Sequence, residues 1–333
     1  MTWMPKFRFV FLGACVFAAG LTLVLVFVSE RGLDANVISP SETQSNASSQ
    51  YEAILSDDLA YLDGIRSAYS QVATIEMEAQ VSMRALRDGQ WYSGTATISY
   101  SADGEKYFYE SVLSDELLKA GFVSNLKFAW NGSRYFMLDT DSDVLSFQRS
   151  EPQSLPSSIP NPFFLPLEFM SSESDACAHC RLRLRDLASP EAWPERRSGA
   201  RMVQSEQQEG FSHSLLTING GKRSGQHFDY LVRLVGHSGG ERQINSISLN
   251  SKTGRILGEL VFGKFSTIRG IGFKVPLETK FAVHSESGKP EVIADFQITK
   301  LVLNETVDSR KFDIGFNESG KVWDSDTRQF VKH

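Results

Sequence analysis

Cysteine is scarce, with three in 333 residues, and that excludes a scaffold held together by many disulfides. No Gly-x-Ser-x-Gly, His-Glu-x-x-His or phosphate-binding glycine loop occurs anywhere in the chain, so no well-marked hydrolase, metalloprotease or nucleotide-binding site can be assigned. Gly270-x-Gly272 lacks a third glycine and reads as a loop or bulge before a strand. A basic stripe is missing as well: 34 Lys plus Arg stand against 40 Asp plus Glu, which excludes nucleic acid as a partner. No alternation of strands with crossover helices is visible, and a doubly wound parallel sheet is excluded with it. These absences point to a non-enzymatic protein without a cofactor.

Two clusters imitate chemistry. Asp139, Asp141 and Asp143 copy the opening of a calcium loop, but Val144 stands where glycine is required and Ser150 where glutamate is. The cluster reads as an acidic hairpin tip, and no metal site is expected. Glu76 and Glu78 share one strand face, where paired carboxylates are ordinary.

Long apolar runs are absent except for one. Phe9 to Val28 is almost unbroken, with Lys6 and Arg8 before it and Ser29 and Glu30 after it. A run of roughly 20 residues crosses a bilayer as a helix, and basic N-terminal flanks keep that end in the cytoplasm. Residues 1–30 are therefore expected to be a membrane anchor, or a signal that is cleaved, with everything beyond Glu30 outside the cytoplasm. No small-x-small site follows Val28, which favours the anchor. Leu12-Gly13-Ala14-Cys15 has the look of a lipoprotein signal, but the apolar run continues beyond Cys15 where a polar tether is needed. Residues 31–50 read as a flexible linker, because Ser41 to Gln50 is rich in Ser, Gln, Asn and Thr.

From Tyr51 to Val72, apolar residues three or four apart predict an amphipathic helix. The period then drops to two: Ile75, Met77, Ala79, Val81, Met83 and Ala85 alternate with polar residues and predict a long strand with one wet face. Asp88-Gly89, Ala102-Asp103-Gly104 and Asn131-Gly132 mark turns of a meander that runs through Gln148. Between Glu151 and Pro166, five prolines exclude helix and central strand. Phe163 and Phe164 sit inside this segment, which either packs over a core edge or forms a lid. A second series of strands runs from Arg181 to Leu303, with turns at Asn219-Gly220-Gly221, Ser238-Gly239-Gly240 and Lys252-Thr253-Gly254. The fold class is mainly β (α+β): a large curved antiparallel sheet or half-barrel over residues 51–316, covered by the helix and loops. A subdivision near 171–180 and a C-terminal tail at 317–333 complete the expected organisation.

Cys177-Ala178-His179-Cys180 is the sharpest local motif. An acidic loop precedes it, and a thioredoxin-like helix context is missing. Outside the cytoplasm a structural disulfide between Cys177 and Cys180 is the expected state, with free or metal-bound thiols and redox activity as alternatives. Met77 and Met83 beside Val81 give one strand face two flexible apolar side chains, which suits an adaptable acyl-chain cavity as well as plain packing.

Phe273-Lys274-Val275-Pro276-Leu277, followed by Val302-Leu303-Asn304, Val307-Asp308 and Phe312-Asp313-Ile314, resembles the closing strand and turn of the LolA/LolB-like periplasmic lipoprotein-carrier superfamily. The order of helix, long strands and Pro-rich segment resembles its large, uncharacterised members. This resemblance implies a periplasmic half-barrel around a hydrophobic cavity for lipid or lipoprotein acyl chains. The chain departs from that family in two ways: it is much longer than a minimal carrier, and where a shuttle is soluble, the apolar run Phe9 to Val28 predicts a single-pass anchor in the bacterial inner membrane. The expected ligand lining is Met77, Val81, Met83, Ile98, Trp130, Phe163 and Phe164. The alternative is a protein-interaction or sensor module of the anti-sigma-regulator type, which shares this fold type and would bind a protein partner.

Overall fold

The computed structural model describes residues 43–119, 125–140, 142–151, 159–170, 184, 192–208, 211–223, 226–237, 241–268, 272, 274–285 and 287–331. Phe9 to Val28, Cys15, Cys177 and Cys180 lie outside these residues. Among the described residues, no helix is long and apolar enough to cross a membrane.

The described residues form fifteen strands in one curved, unclosed sheet. The N-terminal strands are β1 (Thr74–Arg87), β2 (Gln90–Asp103), β3 (Lys106–Leu113), β4 (Leu126–Trp130), β5 (Tyr135–Asp139) and β6 (Val144–Gln148). The C-terminal series is β7 (Arg201–Gln208), β8 (Phe211–Arg223), β9 (Gln226–His237), β10 (Arg242–Ser251), β11 (Ile256–Thr267), β12 (Lys274–His284) and β13 (Pro290–Leu303), followed by β14 (Lys321–Asp324) and β15 (Gln329–Val331). Consecutive strands pair as local hairpins from β1 to β6 and from β7 to β13, and β1 pairs with β13 to join the two series, so the sheet does not divide near 171–180.

β1 alternates strictly between buried and outward residues, as its period of two dictates. Its hairpin to β2 closes over two residues, Asp88 and Gly89, with φ of 52° and 78°. Positive φ at both positions matches the strand twist, which is why Asp-Gly stands there. At the other end, the Ala73 N–H donates to Asn304 Oδ1 at 2.7 Å, and the Thr74 hydroxyl donates to the Glu305 carbonyl at 2.6 Å. These bonds fix the register of the seam between the two halves.

Four expectations need correction. The helix α1 spans Thr43–Ser70; it thus takes in Thr43 to Gln50, which composition assigns to a flexible linker. Asn219-Gly220-Gly221 is not a turn but a bulge inside β8. Asn219 Oδ1 accepts the Gly221 N–H at 2.9 Å, and a Cβ on Gly220 would lie 3.1 Å from the Phe228 carbonyl oxygen. The glycines therefore serve a close approach of backbones. Residues beyond 316 are not a tail: β14 pairs in parallel with β6, the one departure from antiparallel order, and β15 pairs with β14. Of the strand expected at 181–187 only Leu184 is described, and it is buried in a 3₁₀ conformation.

Two apolar cores result, one on each side of the sheet. The larger gathers Leu62, Ile65 and Tyr69 of α1, the inward rows of the long strands and the segment Phe163–Met170. The smaller lies on the opposite side, where Ala129, Phe136, Leu138 and Leu145 meet Ile314 and Val322. Short helices α2 (Asp115–Lys119) and α3 (Ala192–Ser198) flank the sheet.

Candidate functional site

The strand pairing puts Met77, Val81, Met83 and Ile98 on one face of the sheet. Met77 stands opposite Tyr100, Ala79 opposite Ile98 and Val81 opposite Ala96, and on the other flank Val81 faces Phe296. Met77, Val81, Met83, Ile98, Phe163 and Phe164 are all buried in the larger core, and Trp130 packs against it half-buried. Six of the seven residues therefore belong to one packed apolar core, with the seventh at its edge.

The Pro-rich segment supplies the cover. The Phe163 ring packs 4.9 Å from Tyr69 of α1, and the Phe164 ring meets Tyr100 of β2 edge-on at 5.5 Å. The segment is held from below, where the Tyr109 hydroxyl donates to the Ile159 carbonyl at 2.7 Å. Asn161 Oδ1 accepts the Phe163 N–H at 3.1 Å, which turns the chain so that both rings point inward.

Polar latches hold α1 over this core. Asp58 on α1 meets Arg242 of β10 at 3.0 Å. Asp63 accepts from the Trp193 indole N–H at 2.6 Å and from Arg197 Nε at 2.8 Å, both on α3. Burial pushes the Asp58 carboxyl above the ordinary aspartate value, although a hydrogen bond from Ser214 and the charge of Arg242 pull it down.

A polar cleft of ≈ 280 Å³ lies on the outward side of β1, bordered by Glu76, Glu78, Lys127, Lys300, Lys311 and Glu318. Lys311 donates to Glu76 at 2.8 Å, Lys300 lies 3.4 Å from Glu76 and 3.5 Å from Glu78, and Lys127 lies 2.5 Å from Glu318. The Lys311 hydrogen bond is the chief reason that the Glu76 carboxyl titrates below its ordinary value. Paired charges of this kind dock the C-terminal segment onto the sheet. They account for Glu76 and Glu78 without catalysis. At the acidic β5–β6 hairpin tip, Asp139 Oδ1 accepts the Ser142 N–H at 3.4 Å.

Sequence reasoning missed Asp58, Arg242, Asp63 and the buried polar residues Tyr135 and Asn161. One signal was readable: Asp58 falls on the helical stripe of Leu62, Ile65 and Tyr69, where a carboxylate is out of place. Nothing local marks Arg242 as its partner.

No protein-family model matches the chain, and no curated protein does. Among solved structures, the chain is similar to a DUF1329 family protein from Desulfovibrio piger, at 12% identity and a TM-score of 0.43, over 77% of this chain and 95% of that one. It is also similar to a domain assigned to outer membrane lipoprotein sorting from Vibrio parahaemolyticus, at 8% identity and a TM-score of 0.41, over 77% and 95% of the two chains. A LolA superfamily protein from Nitrosomonas europaea gives 12% identity and a TM-score of 0.37, over 76% and 97%. The curved, unclosed sheet is read from this chain's own strand order, and at these identities and TM-scores the likeness assigns no superfamily. Such a likeness assigns neither ligand nor activity.

Proposed function

We propose that this chain is a non-enzymatic, extracytoplasmic protein that binds a lipid or lipoprotein acyl chain between the sheet and its cover, anchored to the membrane through Phe9 to Val28. One observation carries the reading: Met77, Val81, Met83, Ile98, Phe163 and Phe164 converge in a single apolar interior, roofed by a helix and by a Pro-rich segment rather than by a second sheet. An acyl chain gains free energy by leaving water for such a space, at about 0.8 kcal/mol per buried methylene. The methionines repack around an irregular chain more readily than branched residues do. A roof held by a few polar latches can separate without breaking a strand ladder. Entry of a chain then needs no change within the sheet.

Native mass spectrometry with lipid extraction, on the full chain purified from a membrane-containing host, tests this. Stoichiometric co-purifying lipid is expected. A bare mass, with no uptake of added acyl lipid, overturns it in favour of the second reading, a protein-interaction or sensor module. The tight packing of the described interior residues, including Phe163 and Tyr69 in ring contact, supports that alternative.

A further inference from the structure

Among the buried polar atoms that lack a hydrogen-bond partner among the described residues are two neutral donors, the Tyr135 hydroxyl and the Asn161 Nδ2 group. Tyr135 is 5% exposed and Asn161 0%, so bulk water does not serve them. The orientation of the Asn161 carboxamide is fixed by its own turn, because Oδ1 must accept the Phe163 N–H, which leaves the NH₂ as the group without a partner. A run of contacts links the two residues through the larger core. Ile159, two residues before Asn161, takes the Tyr109 hydroxyl; Tyr109 stacks on Phe128 at 4.9 Å, and Phe128 lies 6.4 Å from Tyr135.

A core built only for packing has a simpler solution at Tyr135. Phenylalanine fills the same volume and buries no hydroxyl, whereas an unmet buried donor lowers stability. The groups are neutral donors, which suits a neutral carbonyl oxygen. Burial pushes the Tyr135 phenol above its ordinary value and keeps it protonated. A bare hydrocarbon offers neither group an acceptor, and a carboxylate here would be a buried charge facing only neutral donors.

We propose that Tyr135 and Asn161 form a polar hook in the apolar interior that holds the ester carbonyls of a glycerolipid. The hook rests on the lipid-binding reading above and narrows it from acyl chains in general to acyl esters.

The test is competition binding to the full chain of a diacylglycerol and of its dialkyl ether analogue, which has the same chains without the carbonyl oxygens. The wild type is expected to prefer the diester by about three- to tenfold, the ratio that one net hydrogen bond supplies. Tyr135→Phe should lose most of that preference while its melting temperature stays level or rises. Asn161→Ser, which keeps an acceptor for the Phe163 N–H, should weaken the preference in the same direction. Equal binding of the two lipids by the wild type, or a full preference retained in Tyr135→Phe, overturns the hook and leaves lipid binding standing. Failure of the wild type to bind either lipid overturns both.

Discussion

Asp58 Oδ1 on α1 and Arg242 Nη1 on β10 lie 3.0 Å apart, the aspartate side chain 2% exposed and the arginine 25%. This pair ties the helical roof to the C-terminal half of the sheet. Replacing Asp58 with alanine leaves Arg242 with the looser and more exposed Asp57, 3.7 Å away, and stability in urea should fall by about 1–3 kcal/mol, less than for a wholly enclosed pair because Arg242 keeps some water and a second carboxylate.

The pH dependence of the same group has a definite sign. Burial raises the folded-state pKa of Asp58 above its unfolded value, so the folded state holds this proton more tightly. The stability that Asp58 contributes is therefore full below the unfolded pKa and declines as pH rises towards the folded one. Stability of Asp58→Asn relative to wild type should increase with pH across that interval and level off above it. Paired denaturation curves check this, and a flat difference across the interval contradicts it.

Glu76 has the opposite sign. Its pKa is lowered, first by the Lys311 hydrogen bond, so its contribution is present above the unfolded pKa and is lost as pH falls through the folded one. Glu76→Gln should cost under about 1 kcal/mol at neutral pH and low salt, and 1 M salt should abolish most of that difference. A cost that persists in salt would point to packing rather than charge.

Phe163 and Phe164 are both buried, at 0% and 1% exposure. Truncating either to alanine should destabilise the protein by about 3–5 kcal/mol if the roof is permanently closed. If the roof opens for a ligand, a smaller loss is expected, together with weaker retention of lipid. Urea unfolding of each variant, with and without lipid, separates the two cases.

Truncation after Gly315 removes β14 and β15 and takes Val322 away from Phe136, Leu138 and Leu145. The shortened chain should expose this patch, bind a hydrophobic dye and lose solubility. A truncated chain as soluble and stable as the intact one would show that the second core is dispensable. β15 is a short strand of exposed residues, with Phe330 meeting Trp323 edge-on at 4.9 Å, so removal of residues 329–333 alone should have little effect.

Much of the fold was legible because its signals are local. The meander ends at Gln148 as expected, and Asp88-Gly89 specifies its own hairpin through backbone sterics. Of the site, the alternation along β1 placed Met77, Val81 and Met83 on one face, and two phenylalanines among prolines pointed to a cover. Bulge and turn could not be separated at Asn219-Gly220-Gly221, since both use glycine at positive φ; only the continued pairing of Lys222 with His227 decides for the bulge. The C-terminal strands were missed because Lys321 to Asp324 is too short to show a period, and it is ordered by pairing with β6.

By itself the sequence determined the alternation of wet and dry faces, the hairpin order and the amphipathic helix, all set by neighbours a few residues apart. Tertiary structure alone decided that β1 and β13 join two meanders into one sheet, that Asp58 finds Arg242, and that Tyr135 and Asn161 are buried without acceptors among the described residues. Each of these depends on which distant segments share a surface, and the free energy of that choice is spread over the whole core rather than written at any one position.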